Sequence, residues 1–248
     1  MNFSKNYTLL IVSMLSVVSL VGCSAANDTS VSSSSPTASA KASQTAQAEA
    51  SASETASKPE QLPLAVVEES FWPSDDLDYW NYLVLIENSN ETFAWLSESF
   101  VVEAFDADGV LLDSDSNYSS LLPASTLALT GRFRDVGSST ISELSVRTVE
   151  TGVDTTSLGE IGNVTFSEVE WVNERSSAVV SGIATSTFEE DQDYVSVVIV
   201  VRDENGEVVD ADYAIIERLP GGSKARFEES FYDLKITSTM TIETYLDL

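Results

Sequence analysis

Two ten-residue stretches concentrate the groups that could do chemistry, DADGVLLDSD at 106–115 and DENGEVVDAD at 203–212. Each opens on D-x-[DN]-G, and the second sets five carboxylates in ten positions. Clustered carboxylate oxygens can hold a hard cation. An EF-hand-type calcium loop, however, needs oxygens at alternate positions, a Gly at the sixth and a bidentate Glu at the twelfth. Neither stretch has that series. The nearby acids Glu189, Glu190, Asp191 and Asp193 do not complete a site with Asp203. About ten residues of expected strand lie between, and at roughly 3.3 Å per residue they hold the two groups about 30 Å apart. No metal-ligand set is expected. The same residues describe a tight turn, in which Gly takes the positive φ and the side chain of Asp or Asn caps the backbone.

Other chemistry is restricted by what the chain lacks. It has no His, which removes Ser-His-Asp acyl transfer and the commonest transition-metal ligand. Its one Cys, Cys23, allows neither an intrachain disulfide nor a Cys-rich zinc site. Glycoside hydrolysis needs two carboxyls about 5–10 Å apart across a cleft, and no pair stands out from the acidic background. The expectation is a non-enzyme without catalytic residues or cofactor. With 12 basic and 40 acidic residues the formal charge is −28. Such a chain repels phosphate backbones, so nucleic acid is not an expected partner.

The amino terminus gives Cys23 a role. Residues 8–21, TLLIVSMLSVVSLV, are uncharged and mostly apolar, too short to span a bilayer comfortably and the right length for a signal-peptide core. The run ends in Leu20-Val21-Gly22-Cys23, which resembles the lipobox of bacterial lipoproteins. That resemblance implies cleavage after Gly22 and a diacylglyceryl group on Cys23, so residues 1–22 would be the signal peptide. Two acyl chains anchor stably where one is marginal. The expected location is extracytoplasmic, lipid-anchored at the cell membrane. Residues 23–61 then form a Ser-, Ala- and Thr-rich tether without aromatics. Such a composition cannot bury enough apolar surface to offset ordering entropy, and its coil would reach roughly 35 Å.

From Leu62 the composition changes to short runs rich in Val, Ile and aromatics, split by Asp, Asn, Gly and Pro. Phe100, Val102 and Ala104 fall on one side of a strand, as do Val195, Val197, Ile199 and Val201. The two acidic stretches match at an offset of 97 residues (203 − 106), which holds from Ile86/Ile183 to Leu122-Pro123/Leu219-Pro220. With one inserted residue the match continues to Phe133/Phe231 and Asp135/Asp233. The chain thus contains a unit of about 85 residues twice. The expected fold is all-β, two tandem antiparallel immunoglobulin-like β-sandwiches at 62–150 and 161–248, joined by a linker at 151–160. The Pro turn at 219–222 has Gly where φ is positive; Ala124 in the first copy disfavours that turn, so a different one is expected there.

The series Glu69-Ser70-Phe71-Trp72, Tyr82 to Glu87-Asn88-Ser89, Phe105-Asp106-Ala107-Asp108-Gly109 and Leu122-Pro123 resembles the FxLYD-type domains. These occur, often in tandem, in extracytoplasmic lipoproteins of Gram-positive bacteria, notably actinobacteria, and are similar in fold to the immunoglobulin-like water-stress domains of late-embryogenesis-abundant proteins. The resemblance implies a fold and no catalytic activity. The second copy departs from it at Ala184-Thr185-Ser186, where the Asn is missing.

The copies also differ where the first has Phe93-Ala94-Trp95-Leu96 and the second Glu190-Asp191-Gln192-Asp193. An apolar loop bearing Phe93 and Trp95, near Trp72 or Trp80, is the candidate partner-binding surface, facing a protein or a sugar ring. The same side chains could instead lie in the core or pack between the sandwiches. The functional expectation is a cell-surface adaptor or binding module whose partners are the membrane, through the lipid on Cys23, and an envelope protein or wall component. The alternative is a lipoprotein that binds a small ligand or a cation such as calcium.

Overall fold

The computed structural model describes residues 60–74, 79–149, 154–155 and 161–248. The lipobox, Gly22, Cys23 and the tether up to residue 59 lie outside the described residues. Among the described residues no helix is long and apolar enough to cross a membrane.

The chain is all-β, with thirteen strands described: β1 (Ala65–Pro73), β2 (Trp80–Asn88), β3 (Phe93–Phe105), β4 (Leu111–Leu121), β5 (Ser125–Phe133), β6 (Glu143–Val149), β7 (Asp154–Thr155), β8 (Val164–Asn173), β9 (Ser177–Ser186), β10 (Gln192–Arg202), β11 (Val208–Leu219), β12 (Lys224–Tyr232) and β13 (Thr241–Asp247). They pair as four antiparallel sheets. The first repeat has β1-β2-β5 and β4-β3-β6, with β7 added to β3; the second has β8-β9-β12 and β11-β10-β13. Strand for strand the order is the same, so the duplicated sequence yields a duplicated pairing.

The register repeats as well. Phe100 pairs with Asn117 and Val197 with Ala214. The hairpin bulge falls between Ala104 and Phe105 in one copy and between Val201 and Arg202 in the other. The acidic stretches are the turns of these hairpins. Asp106 Oδ1 accepts the N–H groups of Asp108 and Val110, and Asp203 Oδ1 those of Asn205 and Glu207. Gly109 and Gly206 have φ of 75° and 86°, a region that favours glycine.

The Pro turns differ from the sequence alignment. Ala124 has φ 48° and Gly222 has φ 62°, and each is followed by a Ser whose Oγ donates to the carbonyl three residues back. The first copy therefore makes the same kind of turn despite Ala124. Trp95 pairs with Leu121 and Gln192 with Leu219, an offset of 98 for the second members (219 − 121). The inserted residue thus sits in β11, twelve residues against eleven in β4, and not after the Pro. The Leu-Pro identity misled the alignment, because a strand absorbs one residue by changing its bulges.

Each sandwich has its own core. Tyr82, Val84, Phe100, Val102 and Phe133 are among the buried side chains of the first, and Val180, Val195, Val197, Ile199 and Phe231 of the second. The alternation read in β3 and β10 is the alternation that fills these cores. A third apolar cluster joins the repeats, with Leu83, Leu85 and Ala128 on the outer face of β1-β2-β5 against Val198, Val200 and Ala211 on the outer face of β11-β10-β13. Strands β2 and β10 are thus buried on both faces, which explains why YLVLI and VVIVV read as continuous apolar runs. Each fully buried Val or Leu there is worth about 1.5–3 kcal/mol.

Asn88, the residue missing from the second copy, is fully buried. Its Nδ2 donates to the carbonyls of Phe93 and Leu122, and its Oδ1 accepts from the backbone and side chain of Asn90. It ties the β2–β3 connection to the Pro turn. In the second copy Asp191 does the corresponding work, accepting the Gly221 N–H and pairing with Arg218, which holds its carboxyl below the usual range.

Candidate binding site at the seam between the repeats

The aromatic residues singled out in the sequence do not form one surface. Phe93 and Trp95 belong to a strand and not to a loop, since β3 begins at Phe93 and pairs with Thr155, while Trp95 pairs with Leu121. Trp95 is 2% exposed and Phe93 6%, both in the first core. Of the readings open for these two, the exposed loop is corrected and the core holds, because their side chains are buried in the first sandwich. Leu96, next along, packs against the core of the second repeat. Trp80 is half-buried at the edge of the first core, its ring tilted against that of Phe71 at 6.2 Å. Trp72 packs on the seam between the repeats.

Of these four aromatics, Trp72 is the one that lines a cleft. Beside the third apolar cluster lie two clefts, of about 580 and 570 Å³. Arg132 on β5 and Asp212 on β11 lie 3.4 Å apart and border both, with Asn81. This pair is partly exposed, and such pairs contribute up to about 1 kcal/mol. Arg132 also lies over the ring of Tyr79, 5.3 Å from its centre.

The first cleft has a polar wall and an apolar one. On β4, Asp115 and Asn117 converge on the hydroxyl of Tyr82, which donates to Asp115 Oδ2 and accepts from Asn117 Nδ2, both at 2.9 Å. Burial beside Asp115 pushes the Tyr82 hydroxyl far above its ordinary range, so it stays protonated. On β11, Tyr213 and Ile215 form the facing wall. The second cleft runs past Trp72, Tyr79 and Tyr232 and is acidic, with Asp210, Asp212, Glu229 and Asp233. Burial, with the charge of Asp212 nearby, pushes Asp210 up to about 6 and also raises Glu229. Among the described residues no three His, Cys, Asp or Glu gather as a metal site would need.

One side of the seam is closed by a clamp. Arg202, buried on β10, meets both Glu68 on β1 and Glu243 on β13. Sequence reasoning missed the seam because its residues are not near in either copy. The signal that could have found it is the pair of unbroken apolar runs in β2 and β10.

No family model matches the chain, and no curated protein matches it. Among solved structures it is similar to the exo-chitosanase CsxA of Amycolatopsis orientalis, at 12% identity over 72% of this chain and 26% of that one, with a TM-score of 0.20. It is also similar to the N-terminal CBM22-1-CBM22-2 tandem domain from Paenibacillus barcinonensis Xyn10C, at 12% identity over 74% and 83% of the two chains, with a TM-score of 0.16. The chain spans about a quarter of the length of the exo-chitosanase. At these scores neither likeness assigns a residue, and the fold rests on the strand pairing described above.

Proposed function

We propose that this protein is a non-catalytic binding module of FxLYD type, held at the outer face of a membrane by a lipid on Cys23, that engages an envelope protein or wall component through the seam between its repeats. The observation that carries this reading is the third apolar cluster. It joins the repeats face to face, so the clefts at its margins have walls fixed from both sides. Binding sites favour such junctions, where a concave surface gathers polar groups from two elements. The prominent carboxylates support a non-catalytic role, since Asp106 and Asp203 hold turns and Glu68 holds a clamp.

In-cell photo-crosslinking tests this function. A photoreactive residue in place of Tyr213, at the seam, is expected to give discrete adducts with envelope material. The same residue in place of Tyr118, exposed and outside both clefts, is expected to give none above background. Equal yields at the two positions would overturn the assignment. Chemical release of acyl chains from Cys23, absent from a Cys23→Ser variant, tests the anchor.

A further inference from the structure

The cleft beside Tyr213 is closer to charge balance than the second cleft. In the second cleft four carboxylates face Arg132 alone. In the first, Asp115, Asp212 and Asp247 stand against Arg132 and Arg134, and burial pushes the Asp247 carboxyl above its usual range. Such a lining favours an uncharged occupant over either ion.

The polar wall is built in place. Tyr82 is fully buried, yet its hydroxyl holds Asp115 and Asn117 at fixed positions. Gly131, which pairs with Tyr82 across β2 and β5, makes this possible. A Cβ there would lie 2.4 Å from Asp115 Oδ2 and 2.6 Å from the Tyr82 hydroxyl. The network positions these groups without exhausting them, because the Asn117 amide still has an oxygen and a second N–H to offer. Asn81 and Arg134 line the same cleft, and among the described residues neither side chain makes a hydrogen bond or ion pair. Amides and guanidinium groups are planar and can address two adjacent hydroxyls at once. Across the cleft, Tyr213 is 45% and Ile215 55% exposed, an apolar surface without a partner.

A wall of fixed planar polar groups facing an aromatic and an aliphatic side chain matches a ring with hydroxyls at its rim and C–H bonds on its faces. We propose that this cleft binds a neutral saccharide. Its volume of about 580 Å³ lies within the roughly 300–1,000 Å³ usual for small-ligand sites. The proposal rests on the seam being the binding face and names the chemistry of its occupant.

Titration calorimetry of the full chain, carrying Cys23→Ser to keep it soluble, tests it with four neutral probes and one control. The probes are cellotetraose, xylotetraose, maltotetraose and N-acetylchitotetraose; the control is tetra-alanine. Saturable binding is expected for at least one saccharide, unchanged by added salt as for an uncharged ligand. Tyr213→Ala and Asn81→Ala are each expected to weaken it about tenfold or more, the loss of one stacking or hydrogen-bonding contact, while Tyr118→Ala leaves it alone. Thermal melts confirm that the variants fold. Absence of saturable heat with all four saccharides, binding of tetra-alanine in their place, or an equal loss in Tyr118→Ala would overturn the proposal. Should crosslinking at Tyr213 still capture envelope material in that event, the seam stands as a binding face and the saccharide assignment alone fails.

Discussion

Arg202 joins the two repeats by a two-pronged ion pair with Glu68, its Nη1 2.8 Å from Oε1 and its Nη2 2.7 Å from Oε2. The β-bulge between Val66 and Glu68 sets the register of Glu68 on β1, and Arg202 occupies the place that Phe105 holds in the first copy. The repeats are therefore not interchangeable here. A position that belongs to an aromatic in one copy carries the clamp in the other.

Removing one side of this clamp costs more than the clamp contributes. The Arg202 side chain is 11% exposed and also meets Glu243. Arg202→Met leaves two carboxylates facing each other and is expected to lower stability by about 3 kcal/mol. Glu68→Gln leaves Glu243 in place and is expected to cost less, about 1–2 kcal/mol. The double variant Glu68→Gln, Arg202→Met is expected to lose clearly less than the sum of the two single losses. Urea denaturation gives all three values, and additivity of the two single changes would count against the clamp.

The seam also carries a pH dependence of opposite sign. Asp210 has its carboxyl pushed up to about 6 by burial, with Asp212 raising it further and Arg132 opposing. Its contribution to stability is therefore fully present below about pH 4 and lost as pH rises through 6. Glu68, held below the usual range by Arg202, contributes above that range and loses its contribution in acid. Asp210→Asn is expected to stabilise the protein at pH 7 by on the order of 2 kcal/mol and to be neutral at pH 4. Denaturation midpoints at pH 4, 5, 6 and 7 decide; a constant difference across them would show that Asp210 does not titrate as stated.

Trp95 tests the division between core and surface. A buried Trp cut to Ala costs about 3–5 kcal/mol. Trp95→Ala is expected to lower stability by that amount without changing crosslinking from Tyr213. Trp72, on the seam, is expected to do the reverse when changed to Ala, with a smaller stability loss and a weaker crosslink from a photoreactive residue at Tyr232, which lines the same cleft.

Several features were legible in the residues because they are local. The hairpin turns follow from D-x-[DN]-G, and the sides of β3 and β10 from alternation. The seam was not legible, because Leu83 and Val198 meet only after both sandwiches have formed. Their presence in unbroken apolar runs says that a second face is covered, without saying by what. Of the readings open for Trp95, exposed loop or core, the core holds, and the residues could not choose between them for a related reason. An apolar segment with an acidic counterpart in the other copy looks like a surface feature, yet here it extends a strand and fills the end of the core. The placement of the inserted residue failed because identity at Leu-Pro outweighed the ladder, which only coordinates reveal.

The acidic stretches give the last test. In the second hairpin, Asp203 Oδ2 accepts the side-chain amide of Asn205 and its Oδ1 accepts two backbone N–H groups; the Asn205 amide first, and then the backbone bonds, hold the carboxyl below the usual range. Gly206 beside it has φ 86°. If the stretch is a turn, Asp203→Ala loses these bonds and Gly206→Ala forces a Cβ into the left-handed region, each at about 1–2 kcal/mol. Both costs should be the same with or without calcium. If instead the carboxylates hold an ion, millimolar calcium would raise the melting temperature of the unaltered chain, and Asp203→Ala would abolish the rise. No calcium-dependent shift is expected, because both oxygens of Asp203 are already engaged in closing the hairpin.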